Sequence, residues 1–256
     1  MTAQALWCVD AGRARMRPAT EGEGTPVRAL FSGISRGTER LVLSGKVPVA
    51  EHDRMRAPFQ EGDFPFPVKY GYASVGAVQD GPLAGRTVFA LFPHQDAYRL
   101  PDDALIPLPD GLPPERAVLA ANMETALNIL WDSGAGAGDR IAVVGGGLVG
   151  LLVGYLAARL PGAEVMVVDP LPDRRPVAEG LGCGFAAPDD APSDRDVVIH
   201  TSATQAGLVL ALSLAGAQAT IAEASWHGSA DVALPLGAAF HSRRLRIVST
   251  QVGSIP

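Results

Sequence analysis

The sequence predicts an α/β protein, with a β-rich first domain followed by a doubly wound parallel sheet. Three observations carry that prediction. A glycine-rich turn, Gly145-Gly146-Gly147-Leu148-Val149-Gly150, lies between a β-branched run and a long apolar stretch. From Ile141 to Ser249, strand-like and helix-like segments alternate, as parallel crossovers require. Residues 1 to 110 instead offer short β-rich runs broken by Gly and Pro, the pattern of a small barrel or sandwich.

In chain order, Ala5 to Val9, Val27 to Ser32, Val75 to Gln79 and Thr87 to Phe92 read as strands, the last two separated by the turn Asp80-Gly81-Pro82. Tyr98 to Leu100 and Ala104 to Leu108 are short pieces between prolines. Glu51 to Arg56 suits a short helix, and the proline-rich stretch to Pro67 an ordered loop. Pro113-Pro114-Glu115-Arg116 opens a helix, because proline fits the first turn and the acid suits the N-terminus. Ala117, Ala121, Thr125, Leu127 and Leu130 continue it until Gly134 to Gly138. Ile141 to Val144 is a buried parallel strand, and the apolar run from Leu148 to Leu160 is the helix after it. Val165 to Val168 is the next strand. A helix at Pro176 to Leu181, a strand at Gly184 to Ala187, a strand at Asp196 to His200 and a helix at Gln205 to Leu214 follow. Ala219 to Ala224 and Leu245 to Ser249 complete the sheet. The expected domains are 1–112 and 113–256.

The chain has 256 residues, 47% hydrophobic and 19% charged, with a net charge of −6. A sizeable core is expected and disorder is not. The lysines are Lys46 and Lys69, and the arginine clusters Arg13-Arg15-Arg17 and Arg243-Arg244-Arg246 are small. No nucleic-acid partner is expected. The longest apolar run is too short to span a bilayer and contains Arg159, so no membrane partner is expected either. There is no signal-peptide pattern. Cys8 and Cys183 lie far apart and read as small core residues, which points to a cytoplasmic protein without a disulfide framework.

The glycines fit G-x-G-x-x-G. Gly145 allows the tight turn, Gly147 lets the backbone approach a pyrophosphate, and Gly150 lets helix pack on strand. Leu148 and Val149 open a helix whose free N–H groups and partial positive charge favour phosphate. Asp169 ends the second strand, about 20 residues past the last glycine, where a carboxylate accepts the ribose hydroxyls of NAD. It also repels a 2′-phosphate, which favours NAD over NADP. Arg174 and Arg175 close behind weaken that preference, since a guanidinium can hold a phosphate. A methyltransferase-type nucleotide fold usually carries an acid before the glycines, where this chain has Val143 and Val144. Thr201 and Ser202 end the fourth strand, and ligands bind outside the carboxyl ends of such strands. They are therefore expected near a cofactor ribose, with Glu223 to Trp226 beside the nicotinamide.

Three further segments carry a family resemblance: Ser32-Gly33-Ile34-Ser35-Arg36-Gly37-Thr38-Glu39, Pro67-Val68-Lys69-Tyr70-Gly71-Tyr72-Ala73-Ser74, and Asp110-Gly111-Leu112-Pro113-Pro114-Glu115. With the glycine motif they resemble the medium-chain dehydrogenase/reductase superfamily along essentially the whole chain. The first segment is most similar to the branch containing bacteriochlorophyllide hydroxyethyl dehydrogenases. The resemblance implies a GroES-like first domain, a Rossmann second domain, and an oxidoreductase acting on a small-molecule substrate. It also implies a C-terminal tail past the sixth strand; this chain stops at Pro256, so the tail is expected to be truncated. A homodimer through the sheet edge near Leu245 to Val252 follows by analogy.

The departures bear on chemistry. Zinc-dependent members place a cysteine where this chain has Ser35 or Arg36, and a histidine and a glutamate where it has Tyr72 and Ala73. The third-ligand region reads Ala121-Asn122-Met123-Glu124. No catalytic zinc is expected, and two distant cysteines cannot build the structural zinc lobe. Hydride transfer then needs hydrogen-bond donors for a carbonyl oxygen. Arg36, Thr38, Lys69, Tyr72 and His94 fall in the segments that match the family's cleft. Tyr72 is the expected proton donor, Thr38 matches a hydroxyl that relays protons, and His94 has a useful pKa. Each also has a structural reading: a packing tyrosine, a turn residue, a core histidine, an arginine bridging Glu39. Glu124 reads as a helix-face acid. The expected reaction interconverts a secondary alcohol and a carbonyl, or reduces an activated double bond. A hydroxyethyl-chlorin dehydrogenase and a non-catalytic nucleotide-binding protein stay open as alternatives.

Overall fold

The computed structural model describes residues 2–237 and 239–253. The chain divides into two compact units, Met1–Ala121 and Asn122–Pro256.

The first unit contains β1 (Ala3–Asp10), β2 (Arg13–Ala19), β3 (Thr25–Ser32), α1 (Arg36–Leu43), β4 (Glu61–Gly62), β5 (Val68–Lys69), β6 (Ser74–Val78), β7 (Thr87–Ala90), β8 (Ala97–Leu100), β9 (Ile106–Pro107) and α2 (Pro114–Ala117). Two antiparallel sheets form, ordered β2-β1-β5-β4 and β8-β3-β6-β7-β9. An isolated bridge from Ala5 to Gln95 ties them together. Val27, Val78, Val88 and Leu100 form one core, where Phe92 stacks on Tyr98 with ring centroids 4.1 Å apart. Ala73, Val75 and Phe89 form a second core with Ala117 and Ala121, which holds α2 in this unit.

Residues 13–17, for which no element was expected, lie in β2, an edge strand whose residues are almost all exposed. Two local expectations need correction. Glu51 to Arg56 is not a helix. It holds only the end of a one-turn 3-10 segment, Val49–Glu51, followed by turns, because Pro58 offers no N–H to extend a ladder. The helix expected from Pro113 onward is two helices, α2 and α3 (Ala120–Ser133). The break comes where the Leu119 N–H donates to Arg116 at i−3 instead of i−4.

Beyond α3 the second unit runs β10 (Arg140–Val144), α4 (Leu148–Ala157), β11 (Glu164–Val168), α5 (Arg175–Gly180), β12 (Gly184–Ala186), β13 (Arg195–His200), α6 (Gln205–Leu214), β14 (Ala215–Glu223), α7 (Ala239–Ser242) and β15 (Arg246–Ser249). The sheet is ordered β12-β11-β10-β13-β14-β15 and every pairing is parallel. Read from the central strand, this is the doubly wound order of dinucleotide-binding sheets. Ala142, Val144, Val198, Leu208, Leu212 and Ile221 pack as one cluster between α6 and the sheet. The α6 helix starts on Thr204, whose hydroxyl accepts the Gly207 N–H at 3.1 Å; such a cap stabilises by about 1 kcal/mol. No helix among the described residues is long and apolar enough to cross a membrane.

At the amino end of β10, Asp196 accepts from Arg140 three times: from the backbone N–H at 2.8 Å, from Nε at 3.0 Å and from the terminal guanidinium nitrogen at 2.9 Å. These bonds hold the Asp196 carboxyl down at about 2. An acid whose folded pKa lies below its unfolded value of about 3.9 stabilises the fold above that value, and the contribution fades as pH falls through the folded pKa. Asp196→Asn should therefore cost stability at neutral pH, with the gap to the parent closing between about pH 4 and pH 2. Because the Asp196 side chain is 41% exposed, the loss is about 1 kcal/mol or less. Urea unfolding at several pH values measures it.

Candidate functional site

The glycine loop leaves β10 and is clamped by the end of β13. Gly145 has φ +114°, and a Cβ there would meet the Ser202 backbone N at 2.8 Å. Gly150 touches the loop from the other side: a Cβ on it would lie 1.9 Å from the Gly145 carbonyl oxygen. The Thr201 hydroxyl donates to that same oxygen at 2.8 Å. Gly147 differs. It is exposed, it is the N-cap of α4 with φ −75°, and a Cβ there would meet nothing within 4 Å. The space in front of this backbone is therefore open to a ligand. Leu148 is exposed and Val149 half-buried in the first turn of α4, whose leading N–H groups lack helical acceptors.

Asp169 follows β11 directly. Its Oδ2 accepts the Gly146 N–H at 2.7 Å and its Oδ1 the Leu171 N–H at 2.8 Å. The carboxylate therefore lies against the glycine loop, with lone pairs left over on both oxygens. Arg174 ends a one-turn 3-10 segment, Pro172–Arg174, with no ion pair among the described residues. Thr201 and Ser202 were expected to face a cofactor ribose, but their hydroxyls have protein partners. Thr201 bonds the loop carbonyls, and Ser202 Oγ lies 2.7 Å from His200 Nε2 and 2.9 Å from Thr204 Oγ1. An open helix N-terminus, a glycine with room in front of it and an acid at the next strand end fit a dinucleotide.

In the first unit, Glu39 is the hub of a buried polar cluster. Its Oε1 accepts the Ser35 N–H at 2.7 Å, and its Oε2 lies 2.7 Å from His94 Nε2. His94 Nδ1 reaches Ser32 Oγ at 2.8 Å. Tyr72 hydrogen-bonds the side chains of Ser35 and Thr38. Burial, the largest influence, pushes its phenol above the ordinary value despite the opposing pull of those two bonds. The structure thus links Tyr72, Thr38 and His94 through α1 residues. Arg36 starts α1, exposed and without the expected bridge to Glu39, which is engaged by His94. Lys69 is not a cleft residue. It is fully buried, donating to Glu61 and, at 2.8 Å, to Gln95 Oε1. Beside the cluster is a cavity of about 270 Å³, lined by apolar residues including Leu6, Val42 and Leu43, with Arg36, Glu39 and His94 on its polar side. Cys8, expected in the core, is only half-buried and also lines it. Cys183 is buried as expected, in contact range of Gly154 on α4.

At the positions matching zinc ligands of the resembled enzymes, Ser35 or Arg36 and Tyr72, the chain offers no thiolate, imidazole or carboxylate, and Ser35 and Tyr72 hydrogen-bond each other. Zinc takes thiolate, imidazole or carboxylate. Among the described residues, three potential metal donors come together elsewhere, in the second unit: His200, Glu223 and His227, with ligand atoms within 4.8 Å of one another. His227 was not singled out in the sequence. No spacing signal marks it, because the cluster depends on the pairing of His200 with Glu223 across β13 and β14.

No known protein-family profile matches the chain. Solved structures do share its fold. A protein described as a zinc-binding dehydrogenase from Sinorhizobium meliloti 1021, bound to NADP, aligns with TM-score 0.78 and 19% identity over 98% of this chain and 84% of its own. A short chain alcohol dehydrogenase from E. coli CFT073, complexed with NADH, gives TM-score 0.79 and 14% identity over 98% and 84%. The 2R,3R-butanediol dehydrogenase of Bacillus subtilis gives 0.76 and 17% over 97% and 84%. The likeness is one of fold: a β-rich first unit and a parallel-sheet second unit, shared with these three dehydrogenase structures.

Proposed function

We propose that the chain is an NAD(H)-dependent, zinc-independent oxidoreductase that interconverts a secondary alcohol and a carbonyl. The observation that carries this reading is the glycine loop: the space a Cβ on Gly147 would occupy is open while the Asp169 carboxylate lies against Gly146. When bound, the nicotinamide supplies or accepts the hydride. The α4 N–H groups and the Gly147 backbone hold the pyrophosphate, and Asp169 takes the ribose hydroxyls. Two of the proteins similar in fold hold NADP and NADH respectively, and the carboxylate favours the second.

Tyr72 donates the proton to the carbonyl oxygen. Burial keeps its phenol protonated through neutral pH, and Ser35 and Thr38 orient it. Tyr72→Phe should lower kcat for carbonyl reduction by roughly 100-fold or more, with Tm and NADH affinity unchanged. In the parent, reduction should be flat through neutral pH and fall only in the alkaline range where the raised phenol ionises.

The deciding experiment is titration with NADH and NADPH, read by fluorescence and thermal shift, followed by turnover on a panel of carbonyls. NADH should bind at least about tenfold tighter, a differential of about 1.4 kcal/mol. Tighter NADPH binding refutes the cofactor choice, no binding refutes the dehydrogenase reading, and binding without turnover supports a nucleotide-binding protein instead. A homodimer through the outer edge of β15 belongs to the same proposal, and a monomer mass in light scattering removes it.

A further inference from the structure

We propose that His200, Glu223 and His227 form a binding site for a divalent transition-metal ion of the zinc type, within the second unit and separate from the zinc positions of the resembled dehydrogenases. His200 ends β13 and Glu223 ends the adjacent β14, paired in register. His227 lies four residues further on, in the loop after β14. The His200 side chain is 0% exposed, Glu223 15% and His227 17%, so the three donors face one another out of bulk water.

The distances suit an ion. His200 Nδ1 lies 2.7 Å and His227 Nε2 3.6 Å from the same oxygen, Glu223 Oε2. Donors around a tetrahedral zinc lie about 3.3 Å apart; the three donor atoms, all within 4.8 Å of one another, reach that spacing by side-chain adjustments on the order of 1 Å. Two imidazoles and a carboxylate make a donor set that zinc uses with one position left open. The decisive atom is His227 Nε2, which is buried and makes no hydrogen bond. Leaving a buried polar atom unmatched is costly, and a metal ion would satisfy it.

The outer shell is already built. A metal on His200 Nδ1 requires the ring proton on Nε2, where Ser202 Oγ stands 2.7 Å away to accept it. The Ser202 hydroxyl then donates to Thr204 Oγ1 at 2.9 Å. The Ser225 N–H donates to Glu223 Oε1 at 2.7 Å, fixing the carboxylate with Oε2 toward the two rings. Such partners orient metal ligands and raise affinity. The rings of His200 and His227 stack at 17°, centroids 6.0 Å apart.

The test uses the full chain, stripped by chelator, then titrated with zinc chloride by calorimetry and with cobalt chloride by visible absorption. The expected result is one ion per chain, a cobalt spectrum typical of four- or five-coordination, and a Tm rise of roughly 5 °C. His227→Ala lies on a loop, and its unaltered unfolding curve without metal will show that the fold is intact. It should weaken binding by more than about 100-fold, and Ser202→Ala by about tenfold. His241→Ala, an exposed histidine outside the cluster, should change nothing. No binding by the parent chain overturns the proposal. So does binding that survives His227→Ala, or binding that His241→Ala removes.

Discussion

Gly147→Ala is expected to weaken NADH binding by at least tenfold while leaving Tm almost unchanged. At Gly147 the backbone is open to alanine, with φ −75° and ψ −175° and no protein atom within 4 Å of a new methyl. Compatible Gly→Ala changes shift stability by under about 1 kcal/mol, and alanine at a helix N-cap offsets part of that. The methyl instead takes the ground a pyrophosphate needs. Gly150→Ala should do the opposite to the fold. A Cβ placed 1.9 Å from the Gly145 carbonyl oxygen forces α4 away from the loop, costing more than about 3 kcal/mol. Both variants lose NADH, but only the second melts early. Thermal shift with fluorescence titration separates them, and wild-type NADH affinity in Gly147→Ala would falsify the placement of the pyrophosphate.

Lys69→Met should destabilise the first unit by about 3 kcal/mol. The Lys69 side chain is 1% exposed, pairs with Glu61, and has its ammonium 5.4 Å from the centroid of Phe92. Methionine fills most of the volume, yet it leaves Gln95 Oε1 without its donor. Glu61, with its side chain 46% exposed, recovers water, which keeps the cost below that of a fully buried pair. Glu61→Gln should therefore lose about 1 kcal/mol or less. Urea unfolding of the two variants measures the difference; equal losses would mean that the lysine is not the buried member.

The second unit was legible because its central strands β10, β11 and β13 are short, rich in β-branched residues and largely buried, and because α4 is almost wholly apolar. Gln205 to Leu214 matches α6 residue for residue. The first unit was harder. The alternation of Arg13, Arg15 and Arg17 with Ala14, Met16 and Pro18 is a strand period, but both faces of an edge strand are wet, so no apolar side declared itself. The pairs β4 and β5 hold two residues each, too few for any period. Site chemistry divides along the same line. The glycine loop and Asp169 are bound by local spacing, and the sequence displays spacing. His94 meets Glu39 across 55 residues, and His200 meets Glu223 through strand register. Those encounters are made by the folded sheet, and the residues involved carry no mark of it beforehand.

The sheet order also has a consequence for biosynthesis. The edge of β14 is covered by β15 at Arg246–Ser249, the last strand of this sheet to leave a ribosome. Until it arrives, the nascent chain presents Thr220 to Glu223 as an uncapped β-edge, open to a neighbouring polypeptide. Premature termination before residue 246 would make that transient stickiness permanent, so such fragments should precipitate even though every strand of the sheet's interior is present.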